Sequence, residues 1–216
     1  MPYSAVIGKP HMKHEGEIQL SCGPRKVLQL QDGAKQFGFA SITSALDDDS
    51  FGALCVEAAQ QRCLAAVAKQ SQQVAYRAHT ADLGQTARLF LESGLTANLL
   101  ECVFNERFVL TREASCYTYY ERGDFLGRHR DREGDCAVTL ILYLEVQRPT
   151  EPSAQTGLEL RVYSSGEDKN LPARLVIPTH VGTLVVGRGS QTWHERPALQ
   201  KGECLTALTA CFKQVI

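Results

Sequence analysis

Apolar residues repeat at helical spacing in two stretches of the chain. Behind the acidic run Asp47-Asp48-Asp49-Ser50, residues Phe51, Leu54, Cys55, Ala58, Ala59, Cys63, Ala66 and Val67 form one stripe. The stripe predicts a helix over 48–69, opened by an N-cap and first-turn acids. Leu89, Phe90, Leu95, Leu99, Leu100 and Val103 predict a second helical region over 85–104, which Gly94 splits. Between them, 70–84 is polar and reads as a loop. Residues 1–30 mix polar positions with Gly8, Pro10, Gly23 and Pro24, and no element is expected there.

Past Asn105 the period changes. Phe108–Leu110, Cys116–Tyr120, Ala137–Val146, Leu158–Tyr163, Arg174–Ile177, Thr183–Val186 and Leu205–Phe212 are β-rich runs punctuated by Gly, Pro and Asp, and Phe37–Ile42 is a short strand candidate. Short strands at this spacing predict a sandwich or barrel. The expected class is α+β, a jelly roll braced by N-terminal helices. Residues 1–105 would supply the extension and supports, and 106–216 the core of one compact unit.

Composition narrows the function. The chain has 216 residues, 44% hydrophobic and 22% charged, with 23 Lys+Arg against 24 Asp+Glu. That balance leaves no global basic field for a nucleic acid. No window is long and apolar enough to span a bilayer. Lys9, His11, Lys13, His14 and Glu15 occupy the place of a signal peptide's apolar segment, so a cytoplasmic protein is expected. Eight cysteines are scattered through apolar stretches without a Cys-x-x-Cys pair, which reads as buried thiols rather than a disulfide framework.

The chemistry concentrates at His129-Arg-Asp131. On a strand this spacing puts imidazole and carboxylate on one face. His194 follows, after the run Thr183–Thr192 and just before Pro197 and Gly202. Two histidines and one carboxylate on one side of a metal leave the opposite positions open, as in the facial triad of non-heme iron(II) oxygenases. Bland readings exist beside this one. His129 alone would suit a loop and Asp131 the surface. Trp193 would serve equally as a wall of the site or as core. Arg122, Arg128, Arg130 and Arg132 would be solvated strand edges or an attraction for an acidic substrate. His11 and His14 share helical spacing in a segment with no expected element.

The order Tyr120-x-x-Gly123, His129-x-Asp131, Thr139–Leu144, Gly157-x-Glu159-Leu160, Pro178-x-x-x-Gly182-Thr-Leu-Val and His194-x-x-Pro197 resembles the prolyl 4-hydroxylase-like iron(II)/2-oxoglutarate oxygenases over 115–212. The resemblance implies a double-stranded β-helix, Fe(II) held by His129, Asp131 and His194, and 2-oxoglutarate as co-substrate. It implies O₂ as oxidant and a small molecule or a protein side chain as substrate. Co-substrate contacts fall on Tyr143, on Tyr120 or its neighbour Tyr119, and on Thr206, with Thr206 expected to face inward beside Cys204, Leu208 and Ala210. The basic residue that normally meets the far carboxylate falls on Glu203 or Cys204, neither of which can do so. A substitute base is expected from Arg188, Lys201, Arg196, Arg161 or Arg174, and Arg188 is preferred because its turn leads straight to His194. Two other readings stay open: an iron oxidase or oxygenase that does not use 2-oxoglutarate, and a non-catalytic metal-binding or sensing module.

Overall fold

The computed structural model describes residues 21–68, 74–150, 155–166, 168 and 170–215. Among the described residues there are four helices, interleaved with short strands: α1 (Pro24–Phe37), α2 (Asp48–Arg62), α3 (Gln85–Leu91) and α4 (Gly94–Phe104). Helix α2 starts where the sequence placed it, with Asp47 accepting a hydrogen bond from the Ser50 backbone N–H at 2.9 Å. It stops at Arg62, short of 69. Gly94 opens α4, whose cap is Ser93, accepting from the Thr96 N–H. Helix α1 was not expected. Its apolar face is thin, with Leu30 and Ala34 buried, but Pro24 pre-sets the first turn. Gly38, at φ +83°, ends it by donating its N–H to the Ala34 carbonyl.

Two antiparallel sheets follow. The larger has the order β1 (Phe39–Ile42), β10 (Leu184–Gly187), β7 (Val138–Gln147), β12 (Cys204–Gln214), β5 (Phe108–Tyr120), β4 (His79–Asp82) and β2 (Ala66–Val67). The smaller runs β3 (Tyr76–Arg77), β6 (Phe125–His129), β11 (Trp193–Arg196), β8 (Glu159–Tyr163) and β9 (Leu175–Pro178). This is the expected α+β jelly roll. Strands β1 to β4 all precede residue 105, so the N-terminal part builds sheet as well as bracing it. Strands β3 and β4 replace much of the loop expected over 70–84, and β2 the last turns of the helix expected to reach 69.

Period two on the long strands divides the apolar residues between two cores. Leu140, Leu142, Leu144, Leu208 and Ala210 pack against the helices. Ile141, Tyr143, Leu205 and Ala207 face the second sheet with Leu160 and Val162. The functional residues lie on this inner side. One expectation about cysteine fails: Cys136 and Cys211 form a disulfide, and Cys63 and Cys102 are exposed. The pairing follows from the fold, because Cys211 stands opposite Thr139, three residues beyond Cys136. No described helix is long and apolar enough to cross a membrane.

Candidate metal centre

Strands β6 and β11 pair so that His129 and His194 face each other directly. Their ring centroids are 4.3 Å apart, and both side chains are buried. Each ring has its Nδ1 at 2.9 Å from a backbone carbonyl, Gly127 O for His129 and Thr192 O for His194. A carbonyl only accepts, so both Nδ1 atoms carry a proton, which leaves each Nε2 as the atom turned toward Asp131. Those Nε2 atoms lie 3.0 and 3.7 Å from Asp131 Oδ1.

Asp131 is two residues beyond His129 but outside the strand, which ends at His129. A loop therefore delivers the carboxylate, and its backbone N–H is fixed by donation to the Gly189 carbonyl at 2.9 Å. Its outer oxygen, Oδ2, accepts from the Thr139 hydroxyl of β7. Burial alone would raise the Asp131 pKa. The facing His194, the bond and charge of His129 and the Thr139 hydroxyl outweigh it and hold the carboxyl at about 2. Burial lowers the pKa of His194, and the neighbouring Asp131 opposes that only in part. Two imidazoles and one carboxylate, with ligand atoms within 4.8 Å of one another, fit a divalent transition metal.

The cluster opens on a cavity of about 210 Å³ lined also by Tyr76, Tyr120, Ile141, Ala207 and Arg196. Arg196 settles between two aromatic rings, its guanidinium carbon 5.5 Å from the Tyr120 centroid and 5.2 Å from that of Tyr143. It donates to the Tyr143 hydroxyl at 2.7 Å, the Thr179 hydroxyl at 3.0 Å and the Gly157 carbonyl at 3.1 Å. It is only 3% exposed. Among the described residues no carboxylate lies within ion-pair distance of it.

The remaining sequence candidates separate cleanly. Tyr120 lines the cavity, whereas Tyr119 turns to the helices and donates to Ala58 O. Tyr143 faces inward behind Arg196. Thr206 lies on the opposite face of β12, bonded to Glu145 at 3.1 Å, and Cys204 shares that face. The residues of β12 that line the cavity are Ala207, Thr209 and Cys211. The expected parity was off by one residue; β12 itself alternates regularly, and the irregularity in its pairing with β7 leaves the extra residue on β7, between Tyr143 and Glu145. Arg188 is spent on Glu106, with contacts of 3.0 and 3.1 Å. Arg161 pairs with Glu159, and Arg174 reaches Gln36 O. Lys201 is exposed. Glu203 is buried but holds the Gly157 and Gln200 N–H groups, away from the cavity. Of the five bases only Arg196 reaches the cavity. The signal for it was available, because it stands two residues after His194 on one strand face. Thr139 shares a strand face with Tyr143 by period two, whereas Phe39, whose ring lies 4.9 Å from His194, had no comparable signal.

Trp193 points away from the cavity, under the Arg130 guanidinium at 4.9 Å. Arg128 and Arg132 pair with Glu195 and Asp135, so two of the four arginines of the basic cluster are matched by carboxylates. His11 and His14 lie outside the described residues.

Neither a scan of protein-family models nor a search of curated proteins finds a match. Solved structures do match. A Pseudomonas putida prolyl-4-hydroxylase aligns with a TM-score of 0.63 and 20% identity, over 88% of this chain and 99% of that one. The non-heme α-ketoglutarate-dependent epimerase SnoN of nogalamycin biosynthesis aligns at 0.67 and 16%, over 88% and 83%. A Trichoplax adhaerens prolyl hydroxylase, solved with a peptide of hypoxia inducible factor, aligns at 0.61 and 17%, over 88% and 89%. The fold is that of the prolyl hydroxylases and 2OG-Fe(II) oxygenases. In this chain it carries a His–Asp–His cluster between its sheets and a buried arginine in the same cavity.

Proposed function

We propose that this protein is an iron(II)- and 2-oxoglutarate-dependent oxygenase that hydroxylates a C–H bond of a small molecule or a protein side chain. His129, Asp131 and His194 would hold the iron. Iron with 2-oxoglutarate and O₂ supplies oxidative decarboxylation coupled to C–H oxidation. The chain's own part is to grip the co-substrate, aim the substrate and keep water out.

The observation that carries the reading is Arg196. A buried guanidinium without a carboxylate partner is costly unless a ligand supplies the anion. Its position suits a dicarboxylate. Two residues along a strand span about 6.6 Å, and a five-carbon chain is roughly 5 Å long from C–C bonds of about 1.5 Å. One carboxylate would meet Arg196 while the other end meets the metal. The positive charges of iron and Arg196 would then balance the dianion and Asp131. Tyr143, Thr179 and Gly157 hold the guanidinium in one orientation, which reduces the ordering cost of binding. The Tyr120 phenol, pushed up to about 12 by burial against the opposing charge of Arg196, stays protonated and can donate to the same carboxylate. Arg196 also favours this reading over an oxidase that does without 2-oxoglutarate.

The test is anaerobic titration of iron-loaded protein with 2-oxoglutarate, followed by the iron–2-oxoglutarate absorption band. Breaking a buried, hydrogen-bonded charge pair costs about 2–5 kcal/mol, so Arg196→Met should weaken binding by roughly 30-fold or more. Arg196→Lys keeps the charge but loses the fork and should fall between. Unchanged affinity in Arg196→Met, or no band in the wild type, would overturn the assignment.

A further inference from the structure

The cavity wall holds a feature the proposed chemistry does not use. Cys136 ends the loop that carries Asp131, and its disulfide partner Cys211 lines the cavity from β12. The Cys136 sulfur lies 3.6 Å from Asp131 Oδ2 and 3.4 Å from Thr139 Oγ1. It therefore borders the outer oxygen of the carboxylate, the one turned away from the imidazoles.

A thiol and a disulfide sulfur act differently at that point. A thiol has a proton to donate, and with Thr139 it would give Oδ2 two donors. A bonded sulfur has none and turns lone pairs toward an anionic oxygen. We propose that Cys136 and Cys211 are a redox-modifiable pair that sets how firmly the His129–Asp131–His194 cluster holds its metal, firmly as the dithiol and weakly as the disulfide. This rests on the metal assignment made above.

The chemistry balances with simple reagents. Two thiols and one hydrogen peroxide give the disulfide and two waters; the sulfurs lose two electrons and the O–O bond accepts them. Two equivalents of a small thiol reverse the step by exchange, restoring both S–H groups and leaving a small disulfide. The place of Cys211 on the cavity gives such reagents a route to the bond. Partners of metal ligands change affinity about 10- to 100-fold, and a thiol is a weak donor, so about tenfold is expected.

The experiment measures Mn²⁺ affinity by calorimetry on the full chain, oxidised with peroxide or reduced with a phosphine and then desalted anaerobically. Free thiols are counted in parallel, six in the oxidised form and eight in the reduced. The reduced form should bind about tenfold more tightly. Cys211→Ser, which leaves Cys136 a permanent thiol, should bind like the reduced form before and after peroxide. Equal affinity of the two forms, a pair that stays bonded in the folded protein, or redox sensitivity that persists in Cys211→Ser would each overturn the proposal. Absence of Mn²⁺ binding in both forms would instead remove the metal assignment, and the proposal with it.

Discussion

Gly189 is the position where one methyl group should undo the metal centre. It lies in the turn between β10 and β11, and its carbonyl accepts the Asp131 N–H at 2.9 Å. A Cβ built there falls on Asp131 Oδ2 and Thr139 Oγ1 and stands 2.9 Å from Asp131 Cγ. Ordinary carbon–oxygen contacts begin at about 3.3 Å. In Gly189→Ala the carboxylate cannot retreat with its backbone, which is tied to residue 189 itself. It must swing by about 1 Å and lose the Thr139 hydroxyl. A hydrogen bond to a charged group is worth about 1.5–3 kcal/mol, which is roughly 10- to 150-fold in affinity. The range agrees with the 10- to 100-fold typical of lost support behind a metal ligand. The assay is calorimetric titration of metal-free protein with Mn²⁺ or Fe²⁺, with circular dichroism to show that the fold persists. Gly134→Ala, in the loop after Asp131 and with nothing within 4 Å of its Cβ, is the matched control. Binding by Gly189→Ala within twofold of wild type would refute the reasoning, because the carboxylate would then have room the structure denies it.

Other outcomes follow from the same geometry. Metal affinity should fall in acid as protons compete with the metal for its ligands, and the lowered pKa of His194 puts its share of that loss on the acid side of the ordinary imidazole range. Affinity that keeps rising to pH 8 would point to a different ligand set. Glu57 accepts from the Thr86 and Ala87 N–H groups and the Tyr117 hydroxyl, and these bonds outweigh burial and lower its pKa. Glu57→Gln should therefore cost about 1.5–3 kcal/mol at pH 7. That cost should fade as pH drops below about 4.5 and through the folded pKa, as checked by urea melts at several pH values. Arg188→Met and Thr206→Val should leave 2-oxoglutarate affinity unchanged, since neither residue reaches the cavity. The first should lose at most about 1 kcal/mol of stability, since its ion pair is partly exposed.

Much of this was legible in the sequence, for physical reasons. Period-two alternation in Thr139–Leu144 shows that one face holds Thr139, Ile141 and Tyr143, and the sheet buries that face toward the cavity. The Asp47 cap and the Gly94 break mark helix ends because both signals are local. What escaped depends on long-range packing. Helix α1 has few apolar positions and becomes visible only through the layer it covers. Strand β12 alternates regularly, but which of its two apolar faces turns to the second sheet is decided by long-range packing that no local pattern announces, so Thr206 lies on the other side. Arg188 was preferred on closeness along the chain, but Glu106, on the far side of the sequence, had already claimed it. Cys136 and Cys211 meet only once β12 lies beside β7.

Strand β12 is the last strand in chain order and the centre of the larger sheet, paired on both sides by β5 and β7. A growing chain cannot build that sheet outward from strands already made. β5 and β7 have no common partner until 204–214 emerge, and until then their edges are open to pairing with other chains. Contacts this distant in sequence place the protein among the slower folders, in milliseconds to seconds. The side chains of 129, 131 and 194 converge only when β6 and β11 have paired, so a metal held by them would be captured late in folding rather than seed it. Truncation at 203 would remove the middle of the sheet rather than a tail, and should yield an aggregating chain rather than a slightly weakened fold.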